Sequence, residues 1–312
     1  MKNIILLFAL FVFGGCNSSP DKNVADEDLE EILIDPEVFE EYLDLSEILN
    51  DSIEIVPLET TEKCLISEIT QIELYKDKIY MSDNGNAKVF VYTTTGHFLY
   101  SIGRQGTGPG EYSYLGNFTF KEDSILIQDL YRNKYIVYDL YGNSYREIPY
   151  NVYHNEIVSF DNIGYLISNY GESSYGNFNL FKFDFHTSNV IYPELPFDEK
   201  QTDKSRYRLR RYSSKYDDAA TLIYPLNDTI YTLKKDIVHP SYVIHFTSRN
   251  LPENLDVDRD MLFQFVRKNR YLKGFEYLQN SQDYLLGYYI DDSFKYFIYD
   301  KRKNSSEIQS KK

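Results

Sequence analysis

The side chains that most often do chemistry are few in this chain and poorly spaced for it. Five histidines, His97, His154, His186, His239 and His245, occur without His-x-His, His-Glu-x-x-His or Cys-x-x-Cys pairing, the spacings that aim two ligands at one metal ion. His239 and His245 share strand parity, but Pro240 stands between them. A Gly-x-Ser-x-Gly elbow for nucleophilic hydrolysis is missing. Asp83-Asn84-Gly85-Asn86 and Asp256-Val257-Asp258-Arg259-Asp260 offer oxygens to calcium, yet neither continues into the glycine and distal glutamate of an EF-hand loop. Asp83 and Asp129 read instead as turn caps whose carboxylates accept backbone N–H groups. The residues name no reaction, no metal and no cofactor.

Two stretches could bind. The run Gly103-Arg104-Gln105-Gly106-Thr107-Gly108-Pro109-Gly110-Glu111-Tyr112 looks at first like a phosphate loop, but it lacks the Gly-Lys-Ser/Thr ending and no amphipathic helix follows. Its glycines, Gly103, Gly106, Gly108 and Gly110, permit positive φ, and Pro109 stiffens the turn. Gly103, Arg104, Gly106, Gly108, Pro109, Gly110, Glu111 and Tyr112 are therefore expected to connect one strand unit to the next, with Arg104 paired to Glu111. The second stretch, Lys204 to Tyr216, holds six bases and three tyrosines. Within it Arg206, Arg208, Arg210, Arg211, Tyr207 and Tyr212 are the candidate ligand-binding residues, suited to an anionic group or to an acidic segment. The plainer reading is one solvated face, since basic residues alternate with Tyr207 and Leu209.

The elements that carry these residues are strands by composition: Tyr and Phe number 31 and 20, residues that strands favour, and no Trp is present. Shifting the chain by 46 residues lays Asp77 on Asp123, Ile79 on Ile125, Asp83 on Asp129, Lys88 on Lys134, Val91 on Val137, Tyr92 on Tyr138, Gly96 on Gly142 and Ile102 on Ile148. Each copy reads strand, polar turn, strand, glycine turn, strand. Weaker copies follow at Ile163 to Pro196, Asp228 to Phe246 and Tyr284 to Asp300. A period of this length with several short strands marks a β-propeller blade, whose small sheets hide one another's faces around an axis. Ile53 to Leu58 is expected to close the ring by joining the last blade.

The N-terminus reads as an export address. Lys2 precedes ten consecutive apolar residues, Ile4 to Phe13, and Gly14-Gly15-Cys16 follows. Ten residues are too few to span a bilayer. The small residues before Cys16 resemble a bacterial lipobox, with Phe13 where an aliphatic is usual, and the resemblance implies a lipidated Cys16 anchoring the chain to a membrane. Acylation of Cys16 leaves Cys64 alone, so no intramolecular disulfide forms, and Cys64 is expected to be a buried hydrophobe. The formal charge is −15, but fourteen acidic residues lie between Asp21 and Glu54 against one base, Lys22, so the body is nearly neutral. An exported acidic chain is a poor partner for nucleic acid.

Ile102 to Tyr112, Val56-Pro57-Leu58-Glu59-Thr60 and Asn227-Asp228-Thr229-Ile230-Tyr231 together resemble the six-bladed β-propeller lipoproteins of Bacteroidota, related to NHL-type and TolB-like propellers. The resemblance covers about residues 53 to 300 and implies a cell-envelope propeller, without catalytic residues to carry over. The expected fold is all-β, a propeller of the six-bladed type. A 46-residue period does not fit six times into residues 53–302, so either blades are trimmed or the last blade is incomplete. The expected organisation is a lipoprotein signal peptide (1–15), an acidic stalk (16–52), the propeller (53–302) and a polar tail without strand pattern (303–312). Its expected role is a non-catalytic binding module for an envelope protein or glycan, on the outer membrane and facing the periplasm or the surface. The competing reading is a lactonase- or lyase-like propeller enzyme with a metal in the central channel.

Overall fold

The computed structural model describes residues 29–39, 54–252, 261–291 and 293–310. The leader, Cys16, most of the acidic stalk and Asp256 to Asp260 lie outside the described residues.

The repeat resolves into antiparallel four-stranded meanders. After β1 (Glu30–Ile34), the first sheet is β2 (Ile69–Tyr75), β3 (Lys78–Asp83), β4 (Lys88–Thr93) and β5 (Phe98–Ile102). The second is β6 (Leu115–Lys121), β7 (Ser124–Asp129), β8 (Lys134–Asp139) and β9 (Tyr145–Pro149), and the third β10 (Glu156–Phe160), β11 (Ile163–Ile167), β12 (Phe178–Asp184) and β13 (Asn189–Pro196). The fourth is β14 (Ser213–Tyr216), β15 (Ala219–Leu222), β16 (Thr229–Lys234) and β17 (Ile237–Phe246). The fifth is β18 (Tyr277–Asn280), β19 (Tyr284–Ile290), β20 (Phe294–Asp300) and β21 (Ser305–Ser310). The first strand of each sheet is innermost, and β2, β6, β10, β14 and β18 follow one another around the axis.

Middle strands have neighbours on both faces, so they read as unbroken apolar runs rather than alternating ones. Val89, Phe90, Val91 and Tyr92 of β4 are all buried, as are Tyr135, Ile136, Val137 and Tyr138 at the equivalent places of β8. Only Ile148 is buried along the outer strand β9.

The ring has five blades, not six. The residues of a further blade go instead into two long connections: 197–212, with a 3₁₀ helix at Glu199–Arg206, and 247–276, with α1 (Leu262–Lys268). The closing strand expected at Ile53 to Leu58 is not formed either. The four strands of each blade are consecutive in the chain, and residues 54–66 lie on the first sheet, where the Glu59 N–H donates to the Gly96 carbonyl at 2.8 Å. Leu58, Cys64 and Ile66 pack there on Met81, Phe90 and Tyr92.

Two further differences sit at the outer edges. Glu30–Ile34, within the expected stalk, adds as a parallel fifth strand to β17, burying Ile32 and Ile34. Ser305–Ser310, within the expected tail, pairs with β20 and buries Ile308. An edge strand needs few apolar residues of its own, because the neighbouring strand supplies its hydrogen bonds and only one side chain in two faces the core. That is why neither showed a strand pattern.

The seams between blades differ in kind. Tyr80, Val91, Phe118 and Ile127 fill the first, Leu126, Tyr135, Phe181 and Phe183 the second, and one cluster runs through the third, fourth and fifth blades. Among the described residues no buried apolar cluster joins the fifth sheet to the first.

Candidate functional site: the channel and the upper ring face

Because every inner strand runs the same way along the axis, one end of the ring gathers the connections 103–114, 150–155 and 197–212 with the loops 130–133 and 168–177. This end is the upper face. The tight turns at 76–77, 122–123, 161–162 and 217–218 lie at the other end.

The inner strands enclose a channel of about 530 Å³, lined by polar groups of β2, β6, β10 and β14. Arg211 crosses it. Its Nη1 lies 2.7 Å from Glu73 Oε1 of the first blade, and its Nη2 lies 3.9 Å from Glu156 Oε1 of the third. Glu156 is buried, and its oxygens accept the Tyr212 N–H at 2.7 Å and the Ser213 hydroxyl at 2.5 Å. Burial pushes the Glu156 carboxyl up, opposed by Arg211 and these hydrogen bonds. Burial also pulls the Lys215 ammonium down; it donates to the Ser159 carbonyl at 3.1 Å and sits over the Phe160 ring. Gln71 and Asn117 stitch neighbouring blades together, donating to the Phe118 and Asn155 carbonyls at 2.8 and 2.7 Å.

The basic stretch splits in two. Tyr207 packs with Leu226, Leu262 and Val266, and Tyr212 lies in the main core, so both tyrosines are structural. Arg206, Arg208 and Arg210 alternate with Tyr207 and Leu209 and are exposed, although residues 207–212 form no strand. Arg210 lines the upper channel, and Arg211 alone breaks the alternation to enter it. Sequence reasoning missed Glu73 and Glu156, and counted Lys215 in the basic stretch without making it a candidate. A glutamate opening the apolar run Glu156-Ile157-Val158-Ser159-Phe160 was the available signal, since a buried carboxylate requires partners.

The glycine run joins β5 to β6, and Glu111 organises it. Its carboxylate pairs with Arg104 and accepts the Gly108 N–H at 2.8 Å. That backbone hydrogen bond, then Arg104, holds Glu111 below the usual carboxylate range. Tyr112 is buried and donates to the Ala87 carbonyl at 2.6 Å; at Gly103, with φ of 84°, a Cβ would stand 2.6 Å from its ring. Pro109 lies between Gly108 and Gly110, whose N–H donates to Glu147 at 3.1 Å.

Asp83 and Asp129 cap more than their own turns. Asp83 accepts the Ser67, Glu68 and Asn86 N–H groups at 2.6, 3.0 and 3.1 Å, and Asp129 accepts the Ser113 N–H at 3.0 Å and its hydroxyl at 2.7 Å. Each clamps the chain that leads into its own sheet. Burial opposes ionisation of Asp83, but the hydrogen bonds outweigh it and hold the carboxyl below its ordinary value.

Histidine is not gathered into a cluster. His154 is buried, with Nδ1 2.8 Å from the Val152 carbonyl and Nε2 facing Tyr135 and Gln128, and burial lowers its pKa to about 4. Among the described residues no three His, Cys, Asp or Glu side chains converge on a point. The channel carboxylates Glu73 and Glu156 both face Arg211, so this donor set does not fit a catalytic divalent cation.

The upper face of the second and third blades presents Tyr114, Tyr131, Tyr153 and Tyr175, exposed by 41, 74, 53 and 37 %. The Tyr114 and Tyr131 rings lie 5.0 Å apart, and Arg132 beside them donates to the Thr107 carbonyl at 3.0 Å. Asn151 donates to the Tyr175 hydroxyl at 3.3 Å, and the Tyr153 hydroxyl donates to Asn155 at 3.4 Å.

Comparison with solved structures supports the architecture. A Bacteroides fragilis protein, whose description as exported is itself provisional, superposes with a TM-score of 0.72 at 20 % identity, covering 89 % of this chain and 79 % of its own. A member of the DUF4221 family from Bacteroides vulgatus superposes with a TM-score of 0.51 at 9 % identity, covering 82 % of this chain and 83 % of its own. Both likenesses are of fold. No curated protein matches the sequence. A family model does match, over residues 31–312, nearly the whole propeller with its added strand β1, and the chain belongs to that family, DUF4934, a domain of unknown function.

Proposed function

We propose that this protein is a lipid-anchored cell-envelope β-propeller that binds a protein or glycan through its upper ring face and carries out no reaction. The observation that carries this is how the channel's charges are used. Arg211, Glu73 and Glu156 brace three blades against one another, so the groups that might have acted as acid and base serve as structure, while the loops of the upper face expose Arg132, Arg208, Tyr114 and Tyr131 to solvent. The lactonase- or lyase-like alternative needs a metal donor set that the described channel residues do not supply.

The leader and Cys16 carry the anchoring half of the reading, and an exported relative of the same fold agrees with that address. Kinship with NHL-type and TolB-like propellers, and placement in the outer membrane, belong to the same proposal. Attachment at Cys16 would put Glu30 of β1 within about 50 Å of the bilayer, the reach of the intervening chain fully extended.

The test has two parts. Mass spectrometry of the mature protein from a Bacteroidota host should find an acylated Cys16 as residue one, and Cys16→Ala should move the protein from the membrane to the soluble fraction; a membrane-bound Cys16→Ala chain removes the anchoring claim. A photo-crosslinking residue at Tyr131 should capture an envelope component in living cells, and a crosslinker at Asp77 on the opposite face should not. Equal capture from both positions, or none from Tyr131, removes the binding claim.

A further inference from the structure

We propose that residues 40–53 of this chain dock in the seam between the fifth and first blades, laying Tyr42, Leu45, Leu49 and Ile53 between the two sheets. The segment lies outside the described residues, but the walls of the seam and the chain on either side of the segment point to one place for it.

Both walls of the seam are apolar, and neither meets a packed cluster from the other among the described residues. Tyr80, Val89 and Val91 turn one face of the first sheet to the second blade, so Ile72 and Leu74, in register with Met81 and Ile79, look toward the fifth. The fifth sheet is built the same way. Leu285, Tyr289, Phe297 and Tyr299 pack with the fourth blade, while the opposite face carries Tyr277, Tyr288 and Tyr296 side by side in register, with the Phe294 ring 5.4 Å from that of Tyr288. None of these four rings belongs to a buried cluster, and Leu74 and Phe294 are exposed. Apolar side chains set between such walls take both out of water.

The chain reaches one wall before the segment and the other wall after it. Glu37 pairs with Arg249 at 3.2 Å, Arg249 holds Asp291 in the turn between β19 and β20 at 2.7 Å, and Lys295 of β20 lies over the Phe39 ring. Phe39 therefore stands at the upper end of the fifth blade. Pro57 sits on the turn between β4 and β5, at the lower end of the first blade, where a Cβ on Gly96 would collide with its carbonyl oxygen. Residues 58–66 then run over the wall that carries Ile72 and Leu74. The fourteen residues between have to pass from the upper end of one wall to the lower end of the other. Their sequence suits the passage. Tyr42, Leu45, Leu49 and Ile53 follow at steps of three and four, so helical turns set them on one side and Glu40, Asp44, Glu47 and Asp51 on the other. Fourteen residues rise about 21 Å as a helix, close to the roughly 23 Å spanned by a seven-residue strand such as β2. Tethered at both ends beside the seam, the segment also has a local concentration that a free partner does not match.

Limited digestion of the purified full chain with a glutamate-specific protease tests this, because Glu47 lies inside the segment and its cleavage follows the population in which the segment is undocked. Leu74→Asp, which puts a charge into the wall at a position the ring itself leaves exposed, should speed cleavage at Glu47 by about tenfold, as should Leu49→Asp. Leu99→Asp, on the outer strand β5, should leave the rate as it is. The segment opens without the ring unfolding, so the effect is read at Glu47 while thermal melting stays unchanged. A photo-crosslinking residue at Leu49 should join, within one chain, to peptides from 69–75 or 277–296, and one at Asp44 should not. Cleavage at Glu47 that ignores Leu74→Asp, equal acceleration by Leu99→Asp, or crosslinks from Leu49 only to other parts of the ring would each overturn the assignment. Crosslinks from Leu49 only between two chains would overturn it as well, and would make a second copy the occupant of the seam.

Discussion

Arg211 shows how much one side chain can hold together when its neighbours are drawn out of bulk water, Glu156 fully and Glu73 in part. It links Glu73 on the first blade, 138 residues away, with Glu156 on the third, and both carboxylates meet it in the channel rather than in bulk water. Removing one partner of such a group leaves a charge stranded. Arg211→Ala should lower the unfolding free energy by about 3 kcal/mol in urea titrations, whereas Arg208→Ala should change it by less than about 0.5 kcal/mol. A second effect belongs to His154. Its imidazole stays neutral in the fold, with a pKa lowered to about 4 from the ordinary 6.5, so the unfolded chain takes up a proton first as pH falls. The stability tied to its neutral form is complete above pH 6.5 and is lost as pH drops through 4, at a cost of about 3 kcal/mol. Asp83, also held below its ordinary value, adds a later loss below about pH 4. Urea midpoints at pH 7.5, 5.5 and 4.5 should therefore fall steadily, and His154→Gln should flatten the fall between the first two.

At the scale of elements, the informative strands are the ones that carry least pattern. β1 adds to β17 in parallel register, Ile32 opposite Ile244 and Ile34 opposite Phe246, and the Thr247 N–H donates to the Ile34 carbonyl at 2.9 Å. Ile34 is fully buried and Leu33 is 65 % exposed, so the strand is held by one side. Ile34→Ala should destabilise by about 2–4 kcal/mol and Leu33→Ala by less than about 0.5 kcal/mol, measured by thermal or urea unfolding. If both are silent, β1 is not part of the cooperative unit. The glycine run is an element of the same kind. Its shape depends on Glu111 and on the rings of Tyr112 and Tyr145 lying where a Cβ on Gly103 or Gly110 would have to go. Gly103→Ala should accordingly cost more than an ordinary loop substitution, since it meets both a positive φ and the Tyr112 ring.

For the whole molecule, the telling comparison is between equivalent positions in the first two blades. Phe118 lies 46 residues after Ile72 and is 2 % exposed, filling the seam with the first blade. Ile72 is 53 % exposed and Leu74 is 70 % exposed, because on that side the first sheet meets no packed apolar cluster from the fifth among the described residues. Residues 58–66 cover the outer part of this face but not the inner strand. Phe118→Ala should cost about 3–5 kcal/mol and Ile72→Ala well under about 1 kcal/mol by the same urea assay. A large loss at Ile72 would mean that the fifth seam is packed like the others. The ring thus depends on four tight seams, a cross-channel ion pair and the strand added at its rim.

What the amino-acid order alone determined is what repeats at short range. The 46-residue copies, the buried runs Val89 to Tyr92 and Tyr135 to Tyr138, the turn-capping aspartates and the pairing of Arg104 with Glu111 all depend on residues close in sequence, where side-chain alternation and turn chemistry act. Tertiary structure decided the rest. Five blades rather than six follows from how much chain the connections 197–212 and 247–276 take up, and no local pattern records that length as connection rather than sheet. Whether Ser305–Ser310 is tail or strand depended on an unpaired edge of β20, and whether Arg211 faces solvent or Glu73 depended on a carboxylate from another blade. Burial and long-range charge are properties of neighbours, and in a ring most neighbours come from elsewhere in the chain.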